Sequence, residues 1–334
     1  MSAVRAVVTG GCGFIGSHLV SALLARGAEV TVFDAAVPDA TVPYGPAGNT
    51  ADVRYVAGDV RDPDRVAEAV TAGTEVVYHL AAVVGVDRYL ARPLEVIDVN
   101  FSGTRHVLDR AARTGARVVV ASTSEVFGKH PDVPWREDGD RLLGPTTAHR
   151  WAYASSKGLA EHLTFAFVSQ HGLDATVVRY FNVYGPRQRP AYLVSRTVHR
   201  VLNGLPPVLY DQGGHTRCFT YVGDAVEGTL LAAASPAATG EAFNLGSTRE
   251  TTVASVVCLI TKLADAAIPA QPVDTATALG ASYQDLARRV PDTTKAHQRL
   301  GFQCRVPLEQ GLAGTIKWAR ANPWWLALPD SGAA

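Results

Sequence analysis

The stretch "RAVVTGGCGFIGSHLVSALLARG", residues Arg5–Gly27, decides the fold. It begins as a short strand of β-branched residues, passes through Gly10, Gly13 and Gly16, and continues as a helix that Gly27 ends. Glycines at this spacing allow a tight turn, let backbone amides approach a pyrophosphate and let the helix pack closely on the strand. The stretch therefore predicts the first strand and helix of a dinucleotide-binding sheet.

Short apolar runs alternate with amphipathic stretches through the first half of the chain, which is typical of a parallel sheet covered by helices on both faces. After about Gly185 the alternation loosens and turn-rich segments such as "NGLPP" appear. We therefore predict an α/β fold, a Rossmann-type doubly wound parallel sheet with a smaller, mostly C-terminal α/β substrate domain. Further strands are predicted at Glu29–Asp34, Val53–Asp59, Glu75–Ala81, Ala116–Thr123, Asp174–Gly185 and, returning late to the same sheet, Glu241–Ser247.

The two predicted domains interleave along the chain. Residues 1–182 are assigned to the dinucleotide-binding domain, to which a segment near 215–247 returns. Residues 183–214 and 248–334 are assigned to the substrate domain.

Composition limits the partners that the protein can have. The 31 basic and 31 acidic residues cancel, so no charged surface for nucleic acid or an anionic membrane is expected. The four cysteines are widely spaced and form no CxxC pair, which argues against a disulfide framework and against a metal site. With neither a signal-peptide pattern nor an apolar run of membrane-spanning length, we expect a soluble cytoplasmic protein that acts on a small molecule.

Two acids are candidates for recognising the nucleoside of a dinucleotide. Asp34 ends the second predicted strand, where a carboxylate accepts ribose hydroxyls and repels a 2′-phosphate, so NAD is favoured over NADP. Asp59, in "GDVRD", could accept the adenine amino group, or it could cap a turn or helix.

Tyr153 and Lys157, in "RWAYASSKGLAE", lie four residues apart and therefore on one face of a predicted helix. A free tyrosine has a pKa of about 10 and is a poor base at neutral pH. A neighbouring ammonium group and an oxidised nicotinamide stabilise the phenolate and lower that pKa. Because the spacing is common, the pair could also be an exposed aromatic residue and a solvated lysine.

Four polar residues follow a buried strand in "VVVASTSEVFG": Ser122, Thr123, Ser124 and Glu125. Burying such groups without partners costs about 1–3 kcal/mol each. We expect them to be satisfied locally or to face a ligand.

Together with "RYFNVYGPRQRP", these motifs resemble the extended short-chain dehydrogenase/reductases of the NAD-dependent epimerase/dehydratase family, over nearly the whole chain. The resemblance implies that Tyr153 takes the proton of a nucleotide-sugar 4-hydroxyl while hydride leaves C4 for NAD, with Thr123 hydrogen-bonded to the same oxygen. It also implies contacts to NAD from Gly10, Gly13, Phe14, Ile15, Gly16, Asp34, Asp59, Val60, Ala81, Asn100 and Lys157.

Within that family, Ser124 and Glu125 point to one reaction. Sugar 4,6-dehydratases usually carry Thr-Asp-Glu where this chain has Thr123-Ser124-Glu125, and serine is a far weaker acid than aspartate. Simple 4-epimerases usually lack an acid at the position of Glu125. Ser-Glu resembles the UDP-glucuronate decarboxylases, in which oxidation at C4 makes a β-keto acid that loses CO2 to give UDP-4-keto-pentose or UDP-xylose. Ser124 and Glu125 would position the C5 carboxylate or its replacement proton.

The segments "RWAYASSK", "RCFT" and "YQDLARRVPD" resemble the decarboxylase domain of the bifunctional enzyme that makes the aminoarabinose precursor of lipid A. The resemblance makes Arg289 a catalytic arginine that reaches into the site as an acid or a carboxylate partner. The substrate contacts that it implies are Tyr89, Asn182, Arg196, Arg217, Tyr283 and Arg289. A planar guanidinium suits carboxylate and diphosphate alike, although an arginine at a helix end is often only a surface charge.

Three other functions stay open. A UDP-glucuronate 4-epimerase would share Thr123, Tyr153 and Lys157, and a 4,6-dehydratase is disfavoured by Ser124. An NAD(H)-sensing regulatory module would not need the proton-transferring tyrosine. The resemblance also implies a homodimer, formed by the helices that contain "SGTRHVLDRAARTG" and "YASSKGLAEHLTFAFVSQHG", unless their apolar faces only cover the sheet.

Overall fold

The computed structural model describes residues 3–36, 53–275 and 286–330. The strands, in chain order, are β1 (Arg5–Thr9), β2 (Glu29–Asp34), β3 (Val53–Ala57), β4 (Val76–His79), β5 (Arg117–Thr123), β6 (Ala175–Tyr180), β7 (Val183–Tyr184), β8 (Val208–Tyr210), β9 (Thr216–Cys218), β10 (Thr220–Tyr221), β11 (Ala242–Leu245), β12 (Glu250–Thr252) and β13 (Gln271–Val273).

One parallel sheet of seven strands, in the order β3-β2-β1-β4-β5-β6-β11, forms the centre of the molecule. The chain moves outward from β1 to β3 on one side and then, from β4, outward on the other. The crevice at the carboxyl ends of β1 and β4 is where sheets of this type bind ligands. This arrangement confirms the predicted Rossmann-type doubly wound sheet, and the pairing of β11 with β6 confirms the late return of the chain.

Helices cover both faces of the sheet. Gly115 and Gly172, with φ of 75° and 64°, adopt the left-handed conformation that ends the two longest helices. In chain order the helices are α1 (Phe14–Leu24), α2 (Pro63–Ala69), α3 (Val86–Ala91), α4 (Pro93–Thr114), α5 (Ala152–His171), α6 (Leu193–Leu202), α7 (Val222–Ala234), α8 (Val253–Leu263), α9 (Thr294–Leu300), α10 (Leu308–Arg320) and α11 (Pro323–Leu326). Within the described ranges, no helix is both long and apolar enough to cross a membrane.

The strands are apolar on both sides because both sides are buried. Val118 and Val120 of β5 pack with Leu108 of α4 on one face, and Val119 packs with Leu19 of α1 on the other. Full burial of each such side chain contributes about 1.5–3 kcal/mol. The two cores hold the carboxyl ends of the strands in register.

A third apolar core lies in the C-terminal part of the chain. It joins α6, α8, α10 and α11 through Val198, Ile260, Leu312 and Trp325, with Phe219 beside them. Two-stranded sheets also form in this part of the chain: β7 with β10, β9 with β12 and β8 with β13. The division into two domains at the predicted boundaries stays a prediction.

One predicted strand is wrong in its extent. Asp174–Gly185 was expected to be continuous, but β6 ends at Tyr180 and the chain resumes as the two-residue β7. Asn182 has φ of 39°, which breaks the extended backbone between them. Of the segment near 215–247, β11 joins the central sheet, whereas β9 pairs with β12.

Candidate functional site

The glycine-rich loop follows the carboxyl end of β1. Gly10 has φ of 70°, and a Cβ there would lie 2.7 Å from the backbone nitrogen of Ala81. A Cβ on Gly16 would collide with the carbonyl oxygen of Gly10, so α1 can approach the loop only because this residue is glycine. Phe14 and Ile15 form the first turn of α1. The bare backbone at the start of this helix fits the pyrophosphate of a dinucleotide.

Asp34 lies beside this loop at the end of β2. Its Oδ2 accepts a hydrogen bond from the N–H of Cys12 at 2.9 Å, and its Oδ1 accepts one from the N–H of Ala36 at 3.0 Å. Burial raises the pKa of Asp34, against the lowering effect of these N–H donors. The acid is therefore held beside the glycine-rich loop, and its contact with a ribose stays a prediction.

Asp59 caps a turn, which was the alternative role expected for it. It accepts the backbone N–H of Arg61 at 2.8 Å, and its Oδ2 lies 2.6 Å from the Arg61 guanidinium. The adenine contact expected of Asp59 stays a prediction.

Residues after β4 are held by a network from α4 and α5. Asn100 accepts the N–H of Val83 at 3.0 Å and donates to the Ser156 hydroxyl at 3.1 Å. The N–H of Ala81 donates to a threonine hydroxyl on β1 at 3.1 Å, and Val60 is buried nearby against a glycine of α4. This network fixes one wall of the crevice.

The end of β5 meets the start of α5 at Thr123, whose hydroxyl accepts the backbone N–H of Glu125 at 3.2 Å and lies near the Tyr153 phenol. Burial raises the pKa of Tyr153, as does the charge of Glu125, whereas the neighbouring Thr123 hydroxyl lowers it. Lys157, one turn further along α5, donates to the carbonyl oxygen of Ala121 at 2.9 Å, and burial lowers its pKa to about 8. The phenol and the Thr123 hydroxyl are therefore neighbours, and the Lys157 ammonium group is held one helical turn away at the end of β5.

Glu125 lies between two arginines that are distant in sequence. The Arg150 Nη1 is 2.5 Å from Oε2 and the Arg289 Nη1 is 3.1 Å from Oε1. Burial acts to raise the pKa of Glu125, but the two guanidinium charges bring the pKa to about 2. Glu125 is therefore a carboxylate at neutral pH. Ser124, beside it, is 2% exposed and begins a short 3-10 turn.

Ser122 is satisfied inside the protein. It donates to Oε1 of Glu161 on α5 at 2.5 Å, and the Glu161 carboxylate also forms two bonds to Arg179 of β6, at 3.0 and 2.7 Å. Ser122 therefore ties α5 to the sheet, whereas Thr123 accepts the backbone N–H of Glu125 and the Glu125 carboxylate contacts the two arginines.

Among the expected substrate residues, Tyr89 packs in one buried cluster with Tyr153, and the Arg150 guanidinium carbon is 5.6 Å from its ring centroid. The Asn182 Oδ1 is buried without a hydrogen-bond partner in the part of the chain that the structure describes. A buried acceptor of this kind fits a ligand that brings its own donor. Tyr283 lies outside the described residues.

Two other predicted substrate residues have partners within the protein. Arg196 donates from Nε to Asp330 at 2.7 Å and from Nη1 to the Tyr210 hydroxyl at 3.3 Å. Arg217 donates from Nη1 to the Leu286 carbonyl oxygen at 2.8 Å. Contacts of these arginines with a substrate stay predictions.

Arg150 is a site residue that the sequence pattern does not single out. It lies three positions before Tyr153, in a short 3-10 turn at the start of α5. A buried acid at a strand end requires a cationic partner, which is a usable signal. The sequence could not say which of its many arginines would supply that partner.

Comparison with known proteins agrees with this geometry. Residues 6–246 match the NAD dependent epimerase/dehydratase family. The chain is 38% identical to the UDP-N-acetyl-alpha-D-glucosaminuronate decarboxylase of Bacillus cytotoxicus, over 95% of this chain and 98% of that protein. It is 33% identical to UDP-glucuronic acid decarboxylase 1 of Xenopus tropicalis, over 95% of this chain and 72% of that protein. The crystal structure of Thermus thermophilus UDP-glucose 4-epimerase in complex with NAD is similar, with a TM-score of 0.80, 31% identity and coverage of 95% and 99%.

Proposed function

The chain belongs to the NAD-dependent epimerase/dehydratase family, and on that premise we propose that it decarboxylates UDP-glucuronic acid by way of oxidation at C4. NAD is its cofactor, and the product is UDP-4-keto-pentose, UDP-xylose or both. The observation that carries the proposal is Glu125, a carboxylate held between Arg150 and Arg289 at the end of the strand that carries Thr123. The decarboxylases among its relatives support the same reaction.

We assign the NAD-binding role to the loop of Gly10, Gly13 and Gly16 for the pyrophosphate, with Asp34 for the adenosine ribose and Lys157 for the nicotinamide ribose. When bound, NAD accepts the hydride that leaves C4 of the sugar. The bare backbone of the loop and the position of Asp34 beside it support this assignment.

Tyr153 removes the proton of the sugar 4-hydroxyl, and Thr123 hydrogen-bonds the same oxygen. A buried phenol with a raised pKa ionises only where positive charge stabilises the phenolate. Lys157 supplies such a charge from one helical turn away on α5, and with a pKa of about 8 it is largely protonated at neutral pH.

Oxidation at C4 turns the uronate into a β-keto acid. The bond between C5 and the carboxylate then breaks, CO2 leaves and the electron pair moves toward the C4 ketone. Because Glu125 is ionised, it accepts hydrogen bonds and orients the donor of the replacement proton rather than being that donor. Ser124 and Arg289 flank this position.

We assign the UDP-sugar itself to Tyr89, Asn182, Arg196, Arg217, Tyr283 and Arg289. The buried and unsatisfied Oδ1 of Asn182 supports one of these contacts. We further propose that the protein acts as a homodimer in the cytoplasm.

A UDP-uronate 4-epimerase is the second candidate. The similarity to the Thermus thermophilus UDP-glucose 4-epimerase favours it, since epimerisation needs the same Thr123, Tyr153 and Lys157. An epimerase acting on a uronate would have to suppress decarboxylation. The ionised Glu125 between two arginines does not support such suppression.

The test is incubation of the purified protein with NAD and UDP-glucuronic acid, followed by mass spectrometry of sugar products, measurement of CO2 and recording of NADH absorbance. CO2 with stoichiometric NADH means release of the 4-keto sugar, and CO2 without net NADH means return of the hydride and UDP-xylose. An isomer of unchanged mass without CO2 would make the protein a 4-epimerase. Parallel reactions with UDP-N-acetylglucosaminuronic acid and UDP-glucose define the sugar.

Tyr153→Phe separates an enzyme from a sensing module. Loss of the phenol should lower turnover by about 10²–10⁴-fold, the usual contribution of general base catalysis, while NAD binding is retained. Calorimetric NAD titration and the CO2 assay measure the two properties on one preparation. Unchanged turnover in this variant would contradict the proposed mechanism.

A further inference from the structure

Arg150 is buried and tightly held, unlike an arginine in a surface ion pair. The residue is 2% exposed, and its Nη1 is 2.5 Å from the Glu125 carboxylate. Its guanidinium carbon lies 5.6 Å from the ring centroid of Tyr89 and 5.2 Å from that of Trp151. Contact with aromatic rings and a charged hydrogen bond together leave the guanidinium little freedom to turn.

This arginine connects two parts of the site that carry different steps. Arg150 lies in the turn directly before α5, the helix that carries Tyr153 and Lys157, yet its side chain contacts Glu125. Arg289 holds the other carboxylate oxygen from a distant part of the chain. Glu125 is therefore fixed from both sides, and one of its two supports is built into the start of α5.

The charges of this cluster do not cancel. Arg150 and Arg289 carry two positive charges and Glu125 carries one negative charge, which leaves the three side chains with a surplus of one positive charge. A carboxylate on the sugar would bring a second negative charge to these two guanidinium groups.

We propose that Arg150 is a positioning residue that orients Glu125 for the decarboxylation step while leaving oxidation at C4 to Thr123, Tyr153 and Lys157. The inference rests on the proposed decarboxylation. In the step concerned, the C5–carboxylate bond breaks, its electron pair forms the C4 enolate and C5 later gains a proton. Glu125 must lie correctly beside that carbon, and Arg150 sets its position.

Arg150→Lys tests the proposal because lysine keeps the charge but loses the planar fork that meets the carboxylate and the two rings. We expect CO2 release to fall by about 10–100-fold, as for a misplaced catalytic group. In a single turnover with NAD and UDP-glucuronic acid, NADH should still form at about the wild-type rate while CO2 release lags behind it, because oxidation proceeds while decarboxylation is slow. Arg136→Lys is the matched control, since Arg136 is 68% exposed and its Nε is 3.1 Å from Asp138.

A double-mutant cycle with Glu125→Gln distinguishes positioning from general support of the fold. If Arg150 acts through Glu125, the double variant should release CO2 no more than about threefold more slowly than Glu125→Gln alone. Rate losses that multiply would overturn the proposal. So would a parallel fall of NADH formation and CO2 release in Arg150→Lys.

Trp151→Phe keeps the proposal testable if Arg150→Lys does not fold. This change loosens the aromatic contact without removing the ion pair. Because the ring helps to hold the Arg150 guanidinium, we expect a smaller lag of CO2 release behind NADH formation than the one expected for Arg150→Lys, and a parallel fall of NADH formation and CO2 release would contradict the proposal. If the wild-type protein released no CO2 from UDP-glucuronic acid, the proposed function would fail first, and that result is visible before any variant is made.

Discussion

His79 is a buried side chain at the end of β4 whose protonation the fold opposes. Its Nδ1 is 2.8 Å from the Thr9 hydroxyl and its Nε2 is 3.0 Å from the Thr104 hydroxyl. Burial lowers its pKa to about 3, and the positive charge of Lys157 acts in the same direction. The imidazole is therefore neutral, with one nitrogen donating and the other accepting.

This neutral histidine makes stability depend on pH. An unfolded chain binds a proton at His79 below about pH 6.5 and the folded one does not, so stability falls as the pH drops through 6.5 toward 3. We expect a loss of about 1.4 kcal/mol per pH unit in the lower part of this window. Urea unfolding at pH 7.5, 6.0 and 5.0 measures it, with His79→Gln as the reference variant. Equal pH slopes in the two proteins would refute the assignment.

At the scale of single residues, the sequence predicts which side chains belong to the site better than it predicts which side chains they contact. Thr123, Tyr153 and Lys157 were recognisable because strand ends and helical spacing place them together. Arg289 was expected in the site from resemblance, though not as a partner of Glu125, and Arg150 was not expected from any pattern. Which arginine is buried depends on tertiary packing, which a single sequence does not encode locally.

At the scale of elements, α5 is fixed to the sheet by a buried ion pair. Glu161 and Arg179 are 3% and 6% exposed, and two hydrogen bonds join them between α5 and β6. Glu161→Gln would leave the arginine charge buried without its carboxylate, and we expect a loss of about 3–5 kcal/mol in the free energy of unfolding. Glu227→Gln, whose partner Arg26 lies 2.7 Å away on the surface, should cost only about 0–1 kcal/mol. Similar losses in the two variants, measured by chemical denaturation, would disprove the special role of the buried pair.

Strands and helices of the central sheet were predictable nearly to their ends. Continuous apolar runs bounded by glycine and acidic residues mark β1 to β5, because both faces of a parallel sheet are buried. The error at β6 arose because "FNVYG" carries Phe, Val and Tyr, which favour strands, while the positive φ of Asn182 is invisible in that pattern.

For the whole molecule, we predict a homodimer through the outer faces of α4 and α5. Leu94 and Ile97 on α4 are 82% and 43% exposed, and Leu159 on α5 is 49% exposed. Leu159→Glu would place two charges in a two-fold interface, and a cost of about 1.4 kcal/mol at each gives about a 100-fold weaker dimer. Size-exclusion chromatography with light scattering measures the molar mass in solution, which is compared with the 35.4 kDa of one chain. Leu205→Glu is the control at an exposed position. A monomeric wild-type protein would end this prediction.

The late position of β11 has a consequence for synthesis on the ribosome. β6 gains its outer neighbour only when Ala242–Leu245 has emerged, so the nascent sheet keeps an open, apolar edge until then. At about 5–20 residues per second, the stretch between Tyr180 and Ala242 takes on the order of 3–12 s to translate. During that interval the edge can pair with a neighbouring nascent chain, and a chaperone that shields it would protect the protein until β11 does.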